Sequence, residues 1–99
     1  MRFGVSTACL FLREYTEDAL AVLSRMGVLR VEIFLEGEYE YAPEYVRGLR
    51  SILDNHGMAC AGVHALPTQF EPQLFSRHDR LCRSAEEIYC RVLEAARVL

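Results

Sequence analysis

The sequence predicts an α/β fold in which three parallel strands alternate with three helices. Three short runs, at 2–9, 29–36 and 58–67, alternate between two kinds of side chain, as strands do. Each run is followed by a segment whose apolar residues recur at helical spacing. A glycine, Gly27 or Gly57, then separates each of the first two helical segments from the next strand, in the position where helices commonly end.

Each predicted strand has one bulkier apolar face and one small or polar face. In the first strand these faces are Phe3, Val5 and Thr7 against Gly4, Ser6 and Ala8. In the second they are Leu29, Val31, Ile33 and Leu35 against Arg30, Glu32, Phe34 and Glu36. In the third they are Ala59, Ala61, Val63 and Ala65 against Cys60, Gly62 and His64. A sheet covered by helices on both faces would carry bulky aliphatics on both. We therefore expect helices on one face only.

The helices have recognisable start signals. Thr16 is predicted to cap the first helix, Pro43 suits the first turn of the second, and Ser76 with Asp79 resembles a capping box for the third. The predicted core positions of the helices are Ala19, Leu20, Leu23, Met26, Val46, Leu49, Ile52, Leu53, Leu81, Ala85, Ile88, Val92, Ala95 and Leu99. His56 follows the same helical spacing at the end of the second helix.

The strand–helix unit recurs roughly every 30 residues, which matches an eight-unit barrel of about 250 residues. Right-handed crossovers place all helices of such a barrel on one side of the sheet. We therefore expect residues 1–99 to form one partial domain, the first three βα units of a TIM (β/α)8 barrel. Three units cannot close a barrel, so the remainder of the barrel or further copies of the chain would cover the open sheet.

Composition excludes several classes of partner. The chain is 52% hydrophobic and 25% charged, as globular proteins are. Its net charge of -3 provides no basic surface for nucleic acid, so we expect no nucleic-acid partner. No apolar run reaches the ~20 residues that span a bilayer, so we expect no membrane association and a cytoplasmic location. The four cysteines lack Cys-x-x-Cys spacing and are expected to be reduced, mostly buried thiols.

Three strand motifs, Phe3-Gly-Val-Ser-Thr, Val31-Glu-Ile-Phe-Leu and Val63-His-Ala-Leu-Pro, resemble the sugar phosphate isomerase/epimerase group of the xylose isomerase-like TIM barrels. The segment 39–57 and the motif Phe70-Glu-Pro-Gln-Leu-Phe are also similar to that group. The resemblance covers essentially the whole sequence and about the first third of a family member. It implies proton transfer next to the carbonyl of a sugar or sugar phosphate, assisted by a divalent metal such as Mn, Mg, Co or Zn.

In this family the metal ligands and the acid/base carboxylates come from later strands. The resemblance therefore implies that these 99 residues contain neither the family's metal-binding carboxylates nor its acid/base pair, and that they are inactive alone. Two other hypotheses stay open. One is a non-catalytic remnant or barrel fragment that forms homo-oligomers through its open sheet. The other is a fragment of a repair enzyme similar to AP endonucleases, against which the acidic composition argues.

Four residues are predicted to line the substrate pocket. His64 ends the third strand, where barrel active sites open, and could bind a sugar hydroxyl or a metal, transfer a proton, or be purely structural. Glu32, Phe34 and Ser6 lie on the same inner face by alternation. Glu32 could instead pair with a structural partner such as Arg30, and Phe34 could be a core residue.

Loop residues at the same end of the sheet give further candidates. An aromatic lid or simple loop packing could involve Tyr39, Tyr41, Phe70 and Phe75. The acidic loop residues Glu36, Glu38 and Glu40 are expected to be solvated rather than to bind a metal. His56 and His78 are expected at the surface.

Overall fold

The computed structural model describes residues 2–65 and 70–99, and it confirms the predicted order of strands and helices. The elements are β1 (Val5–Ser6), α1 (Thr16–Arg25), β2 (Arg30–Phe34), α2 (Pro43–His56), β3 (Ala59–His64) and α3 (Asp79–Val98). Three 3₁₀ turns cover Thr7–Leu10, Glu38–Tyr41 and Glu71–Phe75. The third strand ends at His64, as predicted. Residues 67–69, the start of the loop predicted over 67–75, lie outside the described residues.

The three strands form an open parallel sheet in the order β1-β2-β3. Ser6 lies opposite Glu32, and Phe34 lies opposite His64. Within the described residues, β1 and β3 each pair with β2 alone, so both outer edges are open. The structure is therefore an α/β fold with the parallel strands that the sequence predicts.

The first strand is shorter than predicted. The chain leaves the sheet after Ser6 and enters the 3₁₀ turn, in which the Ser6 Oγ accepts a hydrogen bond from the backbone N–H of Ala8 at 3.2 Å. Thr7 is buried, and its Oγ1 accepts a hydrogen bond from the backbone N–H of Phe34 at 2.8 Å. The Thr7 hydroxyl thus satisfies the backbone N–H of Phe34 at the point where β1 no longer pairs with β2.

The third strand contains an irregularity that corrects the predicted faces. Its pairing steps from Val31–Cys60 to Glu32–Gly62, so one residue of β3 is left over, as in a β-bulge. Before the bulge, the side chains of β3 point to the faces opposite to those predicted. Ala59 lies beside Arg30 on the polar face of β2, and Cys60 lies beside Val31 and packs against the core. The prediction that Cys60 lies on the open face is therefore wrong, whereas Gly62 lies there as predicted.

The core lies entirely between the sheet and the helices. Val31, Ile33 and Leu35 of β2 are each 0% exposed. The rest of the buried cluster comprises Leu20, Leu23, Tyr41, Val46, Leu49, Leu53, Met58, Ile88, Val92 and Ala95. Most predicted core positions of the helices are thus confirmed. Two that lie near helix ends, Met26 and Leu81, are exposed instead. His56 is exposed, as expected for a surface histidine.

The helix ends follow the sequence signals only in part. Gly57 and Gly27 adopt the left-handed conformation, with φ of 63° and 79°, and Pro43 is the first residue of α2, as predicted. Thr16 does not cap α1, because its hydroxyl donates instead to the carboxylate of Glu40, which lies 24 residues further along the sequence. Ser76 Oγ accepts a bond from the backbone two residues on, so the predicted capping box is absent from α3. Within the described residues, no helix has the length and apolar character needed to cross a membrane.

The other face of the sheet has no covering layer among the described residues. The side chains of Glu32 and His64 are 48% and 59% exposed there. Large apolar side chains are also exposed around the sheet and its loops: Phe3, Phe11, Leu12 and Leu29. A soluble monomer rarely leaves this much apolar surface uncovered.

We predict that the 99-residue chain by itself is molten or self-associates in dilute solution. Its core is one-sided, and domains of this size are already marginal because burial must offset chain entropy. The measurement is a thermal scan of the dilute chain combined with binding of a hydrophobic dye and mass in solution. A single cooperative transition in a monomer of 11.3 kDa would contradict this prediction.

Candidate functional site

The structure brings the four predicted pocket residues together at the carboxyl ends of the strands. Ser6 ends β1 and lies opposite Glu32 of β2. Phe34 and His64 end β2 and β3 and lie opposite each other. Because paired residues of a parallel sheet point to the same face, all four side chains share the open face.

A polar chain connects three of these residues. Ser6 accepts from the N–H of Ala8 and donates its hydroxyl hydrogen to Glu32 Oε1 at 2.8 Å. Glu32 Oε1 lies 3.8 Å from His64 Nδ1, which is longer than a hydrogen bond but within ion-pair range when the imidazole is protonated. Among the described residues, Glu32 and Arg30 form no ion pair, so the alternative pairing left open by the sequence does not occur.

An aromatic wall lies beside this chain. The rings of Phe34 and His64 have centroids 4.7 Å apart with planes tilted by 42°. Phe11, in the loop after β1, meets Phe34 edge to face at 5.5 Å. Phe34 is half-buried, so it is not a core residue. Sequence reasoning missed Phe11, for which an aromatic residue soon after a strand end was the one available signal.

The backbone of Phe34 is held on both sides by threonine hydroxyls. Its N–H donates to Thr7 Oγ1 at 2.8 Å. Its carbonyl oxygen lies 3.3 Å from Thr16 Oγ1, whose one hydrogen is shared with the nearer carboxylate of Glu40 at 3.0 Å. Thr7 comes from the turn after β1 and Thr16 begins α1, so both elements fix the position of Phe34. The aromatic wall is therefore positioned by the fold and not by its own packing alone.

Glu40 is buried, so the prediction that the acidic loop is solvated is wrong for this residue. It is only 7% exposed, and its carboxylate accepts bonds from the N–H of Glu36 at 2.8 Å and from the Thr16 hydroxyl at 3.0 Å. The hydroxyl of Tyr45 lies 3.1 Å from the same carboxylate. Glu40 thus ties the loop after β2 to the first turns of α1 and α2. Buried acidic groups require such partners.

Two groups beside Glu40, Tyr45 and Glu36, have raised pKa values. Tyr45 donates to Glu17 Oε2 at 2.6 Å, and burial, followed by this bond, raises the pKa of Tyr45 well above its usual range. Burial also raises the pKa of Glu36, and the charges of Glu40 and Glu17 raise it further. These groups border a cavity of about 480 Å³, whose lining includes the ring of Tyr39.

The proposed lid residues divide into two groups. Tyr41 is 2% exposed and belongs to the core, and Phe70 also packs against the core. Loop packing, the alternative to a lid, therefore describes Tyr41, whereas Phe70 is only half-buried. Tyr39 and Phe75 are 79% and 83% exposed, so their lid role stays a prediction.

The described residues do not make a complete metal site. Within 2–65 and 70–99, no group of three or more His, Cys, Asp or Glu side chains is placed to hold a metal ion. Glu32 and His64 offer two neighbouring ligand atoms, fewer than the three protein ligands of a catalytic zinc site.

Comparison with known proteins adds no relative. No protein-family model, curated protein or solved structure matches this chain. The family resemblance of the strand motifs therefore stays a prediction. What is shown is an open, three-stranded parallel α/β fold with four polar and aromatic residues clustered at one end.

We predict that Glu40→Gln lowers the free energy of unfolding by about 1 to 3 kcal/mol, because an amide group then opposes buried donors. The measurement is denaturant unfolding of the protein with the full length that it has in its natural source, called the natural protein below, and of its variants. Glu38→Gln is the matched control, since Glu38 lies in the same turn but is exposed and pairs with Arg91 at 3.1 Å. The control should cost less than about 1 kcal/mol, and equal losses would contradict the assignment.

We predict that Glu36→Gln stabilises the natural protein at pH 7 and that the gain disappears at low pH. A raised pKa means that the folded state disfavours the ionised carboxylate, so stability falls as pH rises above the ordinary value of 4.5. Below that value Glu36 is protonated in both states, and the variant should match the wild type. Thermal midpoints at pH 7 and pH 4 test this, with Glu87→Gln on the exposed face of α3 as control. A gain of the same size at both pH values would refute the explanation.

Proposed function

We propose that this chain forms the amino-terminal three βα units of a sugar or sugar phosphate isomerase/epimerase of the xylose isomerase-like TIM-barrel superfamily. The observation that supports the proposal is the cluster of Ser6, Glu32, Phe34 and His64 on an open sheet face. The cluster lies at the carboxyl ends of three consecutive parallel strands, which is the end where βα barrels place their active sites.

The chemistry of the cluster suits a hydroxylated ligand. A carboxylate such as that of Glu32 can accept hydrogen bonds from hydroxyl groups, and an imidazole such as that of His64 can accept or donate one. Phe34, with Phe11 behind it, offers an apolar surface to the C–H groups of a sugar. Binding sites commonly combine such an apolar wall with a few placed polar groups.

In this proposal the chain supplies a substrate-binding wall and not the catalytic groups. A divalent cation such as Mn²⁺, Mg²⁺, Co²⁺ or Zn²⁺ would polarise the sugar carbonyl when bound. Its ligands, and the carboxylates that move the proton, are proposed to come from sequence beyond residue 99. Glu32 and His64 would hold substrate hydroxyls in place, and the remainder of the barrel would cover the open sheet face.

One other function has an observation in its favour. The exposed sheet face and the apolar residues around it would also suit a non-catalytic chain that assembles with copies of itself. Such an assembly would contain only 99-residue chains and would not depend on metal. The cluster of polar groups at the strand ends favours the enzyme, because self-association alone gives those residues no role.

We predict that the natural protein exchanges a carbon-bound hydrogen next to the carbonyl of a ketose or ketose phosphate for solvent deuterium. His64→Gln and Glu32→Gln should each lower kcat/KM by about 10- to 100-fold, the loss expected for one hydrogen bond to a charged or polar partner. Proton NMR in heavy water, with each of the four metals in turn, is the measurement.

His56→Gln is the matched control. His56 is an exposed histidine at the carboxyl end of α2, away from the carboxyl ends of the strands, and its replacement should leave kcat/KM unchanged. Equal effects of the two histidine substitutions would remove the role proposed for His64. Absence of exchange with every ketose and every metal would refute the isomerase proposal.

A further inference from the structure

We infer that the cavity between the loop after β2 and the starts of α1 and α2 binds an organic cation, an ammonium group with methyl or methylene carbons around its charge. The side chains that line this cavity, the cation cage, are three tyrosines and three glutamates: Tyr15, Tyr39, Tyr45, Glu17, Glu36 and Glu40. None of the four residues clustered at the strand ends lines the cation cage, so the inference is independent of the proposed function.

Aromatic rings provide the walls of the cation cage. The rings of Tyr39 and Tyr45 have centroids 5.4 Å apart and planes tilted by 56°, so they meet as two walls of a corner. Tyr39 and Tyr15 are 79% and 72% exposed, which leaves the surfaces of their rings available to a ligand. The face of an aromatic ring attracts a cation that lies within about 6 Å of its centre. Three rings around a cavity of about 480 Å³ therefore suit a cation with an apolar surface.

The three carboxylates give the cation cage a negative charge that no described cation neutralises. Among the described residues, no arginine forms an ion pair with Glu17, Glu36 or Glu40. Arg13 borders the adjoining groove together with Glu36 but lies beyond ion-pair distance of its carboxylate. Burial raises the pKa of Glu36, and the charges of Glu40 and Glu17 raise it further. A cation bound in the cage would offset this repulsion.

The hydrogen bonds of these carboxylates favour an organic cation over a metal ion. Glu40, which is 7% exposed, accepts from Thr16 at Oε1 and from the N–H of Glu36 at Oε2. Glu17 Oε2 accepts from the hydroxyl of Tyr45. Calcium, which takes about six to eight oxygen ligands, would find most of these oxygens occupied. An ammonium group surrounded by carbon needs no such ligands, because the ring faces and the negative charge hold it without breaking these bonds.

Two sources can supply this ammonium group, and they present the same chemistry to the cation cage. One is a free quaternary ammonium compound. The other is a lysine side chain of a partner protein, plain or methylated. In both cases the carbons next to the nitrogen contact the tyrosine rings, and the charge lies near the carboxylates. The experiment below separates the two sources.

The test is calorimetric titration of the natural protein with choline and with dimethylbutanol, the uncharged molecule of the same shape in which carbon replaces nitrogen. We expect saturable binding of choline and none of dimethylbutanol. Calcium chloride should weaken choline binding no more than sodium chloride of equal ionic strength does, since both then act only by screening. A short peptide that carries trimethyllysine separates the sources: tighter binding than choline indicates a protein side chain, and weaker binding indicates a free compound.

Substitutions of Tyr39 test the aromatic walls. Tyr39→Leu should lower the affinity for choline by about 3- to 10-fold, whereas Tyr39→Phe, which keeps the ring, should change it by less than about 2-fold. Because Tyr39 is exposed, neither substitution should disturb the fold. Tyr89→Leu is the matched control, since Tyr89 is an exposed tyrosine on α3 that does not line the cation cage. It should leave the affinity unchanged.

Glu36→Gln separates loss of the ligand from loss of the fold. This variant is expected to stabilise the natural protein at pH 7, yet it should lower the affinity for choline by about 2- to 5-fold because it removes one charge from the cage. Glu38→Gln is the control, since Glu38 is exposed in the same turn and pairs with Arg91. It should leave the affinity unchanged.

Four results would overturn the inference. They are equal binding of choline and dimethylbutanol, displacement of choline by calcium beyond the effect of salt, equal affinities of the Tyr39→Leu and Tyr39→Phe variants, and absence of binding by both choline and the peptide. None of these results depends on the turnover of a ketose, so failure of this inference and failure of the isomerase proposal are distinguishable.

Discussion

The architecture depends on the burial of one face of β2. Val31, Ile33 and Leu35 are fully buried against the helices, and each such side chain contributes about 1.5 to 3 kcal/mol. Because side chains alternate along a strand, this burial forces Glu32 and Phe34 to the opposite face. A slip of one residue would bury Glu32, so the core itself fixes the register that assembles the polar cluster.

The positions of the site residues are then refined by polar groups outside the sheet. Thr7 and Thr16 hold the backbone of Phe34 from two sides, and Glu40 holds Thr16 and the chain that follows β2. These bonds connect the turn after β1, the start of α1 and the loop after β2. The carboxyl end of the sheet is consequently more strongly constrained than its short first strand suggests, which suits a preorganised binding surface.

Sequence periodicity was sufficient to predict Ser6, Glu32, Phe34 and His64 as neighbours, because a period of two and a parallel register leave little choice. It could not predict the face of Cys60, since one extra residue in β3 shifts the alternation and leaves no mark in composition. Nor could it predict the burial of Glu40, which depends on donors from α1 and α2 that are distant in sequence. Helix interiors, most strand faces and the helix ends marked by glycine or proline were therefore predictable, whereas side-chain caps and loop contacts were not.

The central claim is that the open face of this sheet is the inner wall of a larger barrel. Its exposed edges, its uncovered polar cluster and its one-sided core all fit that role. The most direct test is the intact mass of the natural protein by mass spectrometry. We predict about two and a half to three times the 11.3 kDa of these 99 residues, because a complete barrel needs about 250 residues or more. A mass of 11.3 kDa would contradict it, and the open face would then have to be covered by other chains.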